Sequence, residues 1–388
     1  MIERREIVVV GAGLLGLAAA RALAARGREV TVLDQAERIG YDGAGSKGSC
    51  RIFRLGYTEV RYVAHAQRAR ELWSDLEDIS AEKLLHPVPQ LSFGPDVPEV
   101  LEALHRAGAG GEMLSAGEAA RRFPGIAAYD PVLLEPASCV IAADRALAAL
   151  ASGVPEIRTG AGVTGLADDG DGVRVSTSTG AIDACKVIVC AGPWTSGLLA
   201  TAGITIPAAA TQEQVAYLAP AGTGTGGEHS RPAPAGADAG AGPGSVLPIF
   251  VHYGEGQAYG LPVPGSALYK MGIHHDGTPA DPAHQDQAAD EMLSQRIGHA
   301  ARRFLPGCDP RPVLVERCIY DNSPDTDFIV DRIGNIVIGS GTSGHGFKFG
   351  PLFGEWLAAL AADRASPAGR IDQTGTELPP PDFAVSRL

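Results

Sequence analysis

The chain opens on a short apolar run. Residues 6 to 10, EIVVV, are apolar and β-branched after the first position, the pattern of a strand buried on both faces. Glycines follow at once, then LLGLAAARALAARG, a leucine- and alanine-rich helical stretch that Gly27 closes. EVTVLD, residues 29 to 34, resumes the strand pattern, so the first segment predicts a βαβ unit. Residues 156 to 190 alternate strand-like pieces with Gly and Asp turns, which predicts an antiparallel meander running into another buried strand, KVIVC at 186 to 190. DFIVD (327 to 331) and NIVIGSG (335 to 341) predict two more strands before a last helix, PLFGEWLAALAAD.

Strands of one nucleotide-binding sheet thus come from the beginning, middle and end of the chain. The expectation is an α/β fold in two interleaved domains. A Rossmann-like domain would be built from 1–84, 139–206 and 317–388. An antiparallel-sheet domain would be built from 85–138 and 207–316, where LSFGP, AYGLPVP and ALYKMGIHHDG read as strands and turns. Residues 219–245, rich in Ala, Gly and Pro, hold too little apolar surface to offset their ordering, and predict a mobile surface loop or a lid.

Composition narrows the class. With 388 residues, 45% hydrophobic and 20% charged, the chain suits a two-domain globular protein. The net charge of −13 comes without a basic stripe, which argues against nucleic acid as a partner. No apolar run approaches membrane-spanning length, and the first apolar run leads into glycines rather than a cleavage site, so a cytoplasmic protein away from membranes is expected. The six cysteines form no Cys-x-x-Cys pair, so neither a zinc site nor a redox pair is expected.

Gly11-Ala-Gly13-Leu14-Leu15-Gly16 lies between the first strand and its helix, where a dinucleotide pyrophosphate rests on the helix N-terminus. Asp34 ends the next strand, at the spacing for an acid that accepts from ribose hydroxyls; this pattern alone does not separate FAD from NAD. GSKGSCRIFRLGY, residues 45 to 57, offers Ser46 and glycine amides to a phosphate or ring. It also offers Arg51 and Arg54, which share a face if a helix starts there. By themselves two arginines so spaced usually read as a solvated helix face. Taken alone, Cys318 is a buried thiol, Lys270 a surface lysine at a strand end, and Tyr259 and Tyr320 core tyrosines.

GSKGSCRIFRLGYTEVRYVAHAQRARELW, AYGLPVPGSALYKMGIH, CIYDNSPDTDFIVD and GSGTSGHGFKFGP follow the glycine motif in this order. In this the chain resembles the monomeric sarcosine oxidase family, which includes N-methyltryptophan oxidase and pipecolate oxidase among the D-amino-acid-oxidase-like flavoproteins. The resemblance implies FAD, attached covalently through Cys318. It implies Lys270 at the face where O2 reacts, Arg51 close to the flavin and His274 in the active site, with Tyr259 and Tyr320 lining the substrate cavity. Arg54 and Lys348 would bind the substrate carboxylate. The backbone of Gly344, Gly346, Phe347 and Lys348 would approach the flavin, with Gly350 and Pro351 starting a helix whose N-terminus faces its pyrimidine edge. His345 would hold that loop or touch the cofactor, and Trp194 would pack. The family's loop before the first arginine commonly carries a histidine where this chain has Lys47 and Cys50.

The implied reaction takes a hydride equivalent from the carbon next to the amine of a small secondary amino acid, N-methyl or cyclic, to flavin N5. It leaves an imine, and molecular oxygen becomes hydrogen peroxide. A monomer is expected. A dehydrogenase or desaturase of a specialised amino acid, and a non-catalytic flavin-binding protein, stand as alternatives.

Overall fold

The computed structural model describes residues 3–40, 43–222, 247–254, 256–362 and 378–388. Residues 223–245 of the expected surface loop lie outside the described residues.

The first strand, Glu3–Val10, is central because it is apolar on both faces. It pairs in parallel with Val30–Leu33 on one side and with Gly180–Val189 on the other. Ile7 and Val9 enter the core formed with the helices, while Val8 and Val10 pack with the meander on the opposite face. That meander, Val163–Asp168 and Val173–Thr177, runs antiparallel into Gly180–Val189. Ile336–Ser340 joins the same strand in parallel and folds back on Ile329–Ile333, while Glu156–Arg158 closes the other edge. The eight-stranded sheet therefore draws on all three parts of the chain, as an α/β fold of this kind requires.

A second, nine-stranded sheet stands beside it. Its backbone is the long antiparallel pair Ala209–Pro220 and Cys308–Asn322, flanked by Tyr269–Ile273, Ala258–Pro262 and Ile249–His252. The pairing runs through Asn322, so the expected domain change at 317 falls within a strand. A small third sheet joins Cys50–Phe53, Cys139–Ala142 and Leu85–Pro87. This corrects one expectation. Arg51 and Arg54 do not share a helix face: Cys50–Phe53 is a strand, and the helix begins only at Val60. Ile52 and Phe53 suit a strand, and the cross-strand partner at Cys139–Ala142 decides the matter over the arginine spacing.

Two helices bring the ends of the chain together. Leu14–Ala25 and Gly350–Ala361 pack so closely that a Cβ at Gly354 would lie 2.6 Å from the Ala18 carbonyl oxygen, and one at Gly350 would lie 2.7 Å from the Leu14 side chain. Their N-termini therefore open side by side. Gly354→Ala is expected to force these helices apart and lower unfolding stability by roughly 1–3 kcal/mol. Denaturant titration would show this as a lower midpoint at unchanged slope; an unchanged midpoint would show that the contact yields freely.

Candidate active site

One cavity of about 330 Å³ runs from the first glycine loop to the second sheet. At one end lies the glycine loop. Gly11 turns the chain at φ +106°, and a Cβ there would come 2.3 Å from the Cys190 carbonyl oxygen. A Cβ at Gly16 would fall 1.9 Å from the Gly11 carbonyl oxygen, whereas Gly13 meets nothing closer than Ser46 Oγ at 3.2 Å. Two glycines thus serve the tight turn and the third leaves backbone open to the cavity. The helix behind it has no side-chain cap and no acid in its first turn. Leu14 N donates to Ser46 Oγ at 3.0 Å, which shows that this end accepts an oxygen. Asp34 lines the same end. Its Oδ2 accepts from Ala12 N at 2.6 Å and its Oδ1 from Ala36 N at 2.8 Å, so the carboxylate fixes the loop, and each oxygen keeps further acceptor capacity. The open backbone, the helix N-terminus without an acid and the strand-end acid fit a dinucleotide; Leu15 adds to that wall and Trp194 lines it further along.

A second group converges around Gly48, which holds φ +96°. A Cβ at Gly48 would stand 3.3 Å from Arg51 Nη1, 3.9 Å from Lys270 Nζ and 4.0 Å from Glu316 Oε2. Arg51 donates to the carbonyls of Gly45, Lys47 and Cys50 and lies over the Phe347 ring, so its guanidinium is fixed by the loop that it closes. Lys270 is 6% exposed and donates to the Cys50 carbonyl at 3.3 Å. Burial, then the Arg51 charge, pushes its pKa down. Tyr217 donates to Glu316 Oε2 at 2.7 Å. Cys318 is a free thiol lining this part of the cavity; burial raises its pKa, and Lys270 and Arg51 pull it back.

The third group surrounds Tyr57. Arg54 stacks 4.4 Å over its ring and donates to Gly56 O and Tyr253 Oη. Burial works against the Arg54 charge, but Tyr253, Tyr57 and Glu135 outweigh it. From the opposite end of the chain, Lys348 is 5% exposed and donates to Tyr57 Oη at 2.8 Å and to the His345 carbonyl at 2.7 Å. Its pKa lies well below that of an ordinary lysine, first from burial and then from Arg54. Neither cation forms an ion pair among the described residues. Trp73 on the helix Val60–Ser80 donates to the Lys348 carbonyl at 2.7 Å and holds this turn in place.

His345 is held within its loop and also lines the cavity. Its Nε2 is 3.0 Å from the Thr326 carbonyl, which can only accept, so Nε2 carries the proton and Nδ1 accepts from Tyr57 Oη at 3.3 Å. Burial, then Lys348, pushes its pKa down to about 3. A directional chain results, from Lys348 through Tyr57 to His345 and Thr326. His274 Nδ1 lies 3.3 Å from Tyr320 Oη, and its pKa is driven well below the usual histidine value, first by burial and then by His275 and the neighbouring cations. Gly344, at φ +73°, admits the Tyr320 ring, which a Cβ would meet at 2.1 Å. Tyr259, Gly346 and Phe347 complete the lining. The fold therefore gathers Arg51, Arg54, Tyr259, Lys270, His274, Cys318, Tyr320 and Lys348 at one cavity. Sequence reasoning did not find Tyr57, Tyr253 or Glu316. "FRLGY" placed Tyr57 three residues from Arg54, a signal within reach, but Tyr253 lies 199 residues away and carries none.

A family model described as "DAO: FAD dependent oxidoreductase" matches residues 6–360. The peroxisomal sarcosine oxidase of Homo sapiens is 31% identical over 377 residues, covering 92% of each chain. The N-methyl-L-tryptophan oxidase of Yersinia pestis (strain Pestoides F) is 29% identical over 378 residues, covering 93% of this chain and 96% of that one. Among solved structures, the open form of NikD, described as an unusual amino acid oxidase essential for nikkomycin biosynthesis, superposes with a TM-score of 0.80 at 26% identity, covering 95% and 96%.

Because His345 stays neutral when folded but takes a proton near pH 6.5 when unfolded, its contribution to stability is complete above pH 6.5. It is lost as pH falls from there toward 3. Between pH 6.5 and 5 this amounts to about 1.5 kcal/mol. His345→Gln is expected to flatten the pH dependence of the unfolding free energy by that amount, and an identical slope in both proteins would show a histidine that titrates normally.

Proposed function

The chain belongs to the family of FAD-dependent oxidoreductases whose model spans residues 6–360, and from that premise we propose that it oxidises a secondary amino acid, N-methyl or cyclic. One observation carries the reading. Arg54 and Lys348 reach Tyr57 from two separate segments, face the cavity, and form no ion pair among the described residues, although Glu135 lies close enough to support the Arg54 charge. Lys348, enclosed with no acid among the described residues to support its charge, favours an anionic ligand, and a guanidinium beside an ammonium suits a carboxylate. An amino acid satisfies this requirement where a simple amine does not.

The glycine loop, Ser46 and Asp34 would hold the dinucleotide end of FAD, Gly344 to Lys348 would back its ring, and Cys318 would tether it covalently. When bound, the flavin would supply a two-electron acceptor for the hydride lost from the carbon next to the amine, and a route for both electrons to O2, which with two protons would give H2O2. The protein's residues do the rest. Arg54 and Lys348 fix the carboxylate, and Tyr57 lies between them. With its acid end held there, the amine comes toward His274, Tyr320 and Tyr259. Lys348 and Arg54, together with Lys270 and Arg51, disfavour an ammonium nearby, so the substrate binds as the neutral amine and no side chain need remove its proton beforehand. The nitrogen's proton leaves as the imine forms, and water adds to the imine. Lys270, enclosed beside Arg51, places positive charge where electrons pass to oxygen. In this reading the enzyme is a cytoplasmic monomer whose six cysteines, all free in the structure, remain reduced apart from the flavin link.

Under anaerobic conditions the bound flavin should bleach with N-methyl or cyclic amino acids. Lys348→Met should raise KM for them roughly 10- to 100-fold, as expected for loss of a charge-assisted hydrogen bond, with little change for the matching amines that lack a carboxylate. Admission of air should then release peroxide. A flavin that stays oxidised across such a panel would refute the reading, and yellow colour lost entirely to the acid supernatant after denaturation would refute the Cys318 link alone.

A further inference from the structure

Asp321 follows Tyr320 on the long strand and takes no part in the steps above. It is 6% exposed and lines the cavity. Its Oδ2 accepts from Ser340 Oγ at 2.7 Å and from Gly341 N at 2.8 Å. Its Oδ1 accepts from no described residue, and the carboxylate forms no ion pair among them. A buried carboxylate has acceptor capacity on both oxygens, and leaving one unused without a counter-charge is unfavourable. The ligand that completes it should therefore bring a donor.

The surroundings say which donor. On one side, a Cβ at Gly339 would lie 3.0 Å from Cys190 Sγ, and the Cys190 carbonyl closes over Gly11 in the first glycine loop. On the other side, the Asp321 carbonyl accepts from Ser343 N at 2.8 Å, and the neighbouring Tyr320 ring packs on Gly344. Asp321 thus stands between the loop built for a pyrophosphate and the loop that backs the flavin ring. In FAD the piece joining these two parts is the ribityl chain, whose donors are hydroxyl groups.

We propose that Asp321 is a cofactor-binding residue whose free carboxylate oxygen accepts a hydrogen bond from a ribityl hydroxyl of FAD. The proposal rests on the reading that FAD occupies this cavity. Burial raises the Asp321 pKa to about 6, with Ser340 and Gly341 pulling it back, so the carboxyl is ionised and a strong acceptor at pH 8. Asn at this position keeps an oxygen for Ser340 and Gly341 but turns an N–H toward the cavity, which separates hydroxyl binding from holding the loop.

The test is a binding cycle at pH 8 on the full chain carrying Cys318→Ser, so that the cofactor exchanges. FAD and analogues with each ribityl hydroxyl replaced by hydrogen are titrated by flavin fluorescence against the Asp321 protein and its Asp321→Asn variant. FAD should bind roughly tenfold or more weakly to the variant, and one analogue should lose this difference, being bound equally by both proteins. A variant that weakens FAD and every analogue alike, or weakens none, would overturn the proposal. Should Asp321→Asn fail to fold, the analogues alone decide it on the Asp321 protein: one must bind about tenfold more weakly than FAD, and equal affinity for all would overturn it. Failure of the Asp321 protein to bind FAD at all would instead overturn the assignment of FAD to the cavity.

Discussion

Two enclosed cationic side chains that form no ion pair among the described residues set the terms for this site. Burial depresses the Lys348 pKa and Arg54 nearby depresses it further, so an anion beside Lys348 is favoured. The scaffold holds them there regardless. Arg54 leaves the strand Cys50–Phe53, fixed by its pairing with Cys139–Ala142, and Lys348 sits in a short turn that Trp73 ties to a long helix. Tyr57 lies between them, accepting from one cation and stacking under the other. Such preorganisation would let a carboxylate bind without reorganising the protein.

The same economy of position joins the two glycine loops. Helix Leu14–Ala25 and helix Gly350–Ala361 start side by side because glycine at 350 and 354 lets them approach, so the loop before each opens on one cavity. The first loop bears the features of a phosphate cradle, with open backbone at Gly13. The second uses its glycines to admit a ring, as Gly344 does for Tyr320, and to carry Lys348 inward. Gly48, at φ +96°, lets the chain turn beside Arg51, where a Cβ would come within 3.3 Å of the guanidinium.

Much of the fold was legible in sequence because its signals are local. A continuous β-branched run, a glycine turn and an alanine-rich helix gave the first βαβ unit, and the last two strands and helix followed the same logic. The segment 50–54 was not, since arginines three apart are compatible with a helix and the pairing partner lies nearly ninety residues away. The boundary expected at 317 falls within one strand, which runs on through Asn322 without a turn. In the site, charged residues within distinctive motifs stood out, whereas Tyr253 and Asp321 did not. Their importance comes from groups reached only on folding: Gly56 and Arg54 for the first, the cavity for the second.

The central claim is that Arg54 and Lys348 make a carboxylate site. It is tested most directly by titrating the oxidised holoenzyme and its Lys348→Met variant with acetate and with acetamide near pH 8, following the flavin spectrum. The account predicts saturable binding of acetate that the variant weakens, and no comparable binding of acetamide. Equal binding of the two, or acetate binding unchanged in the variant, would contradict it.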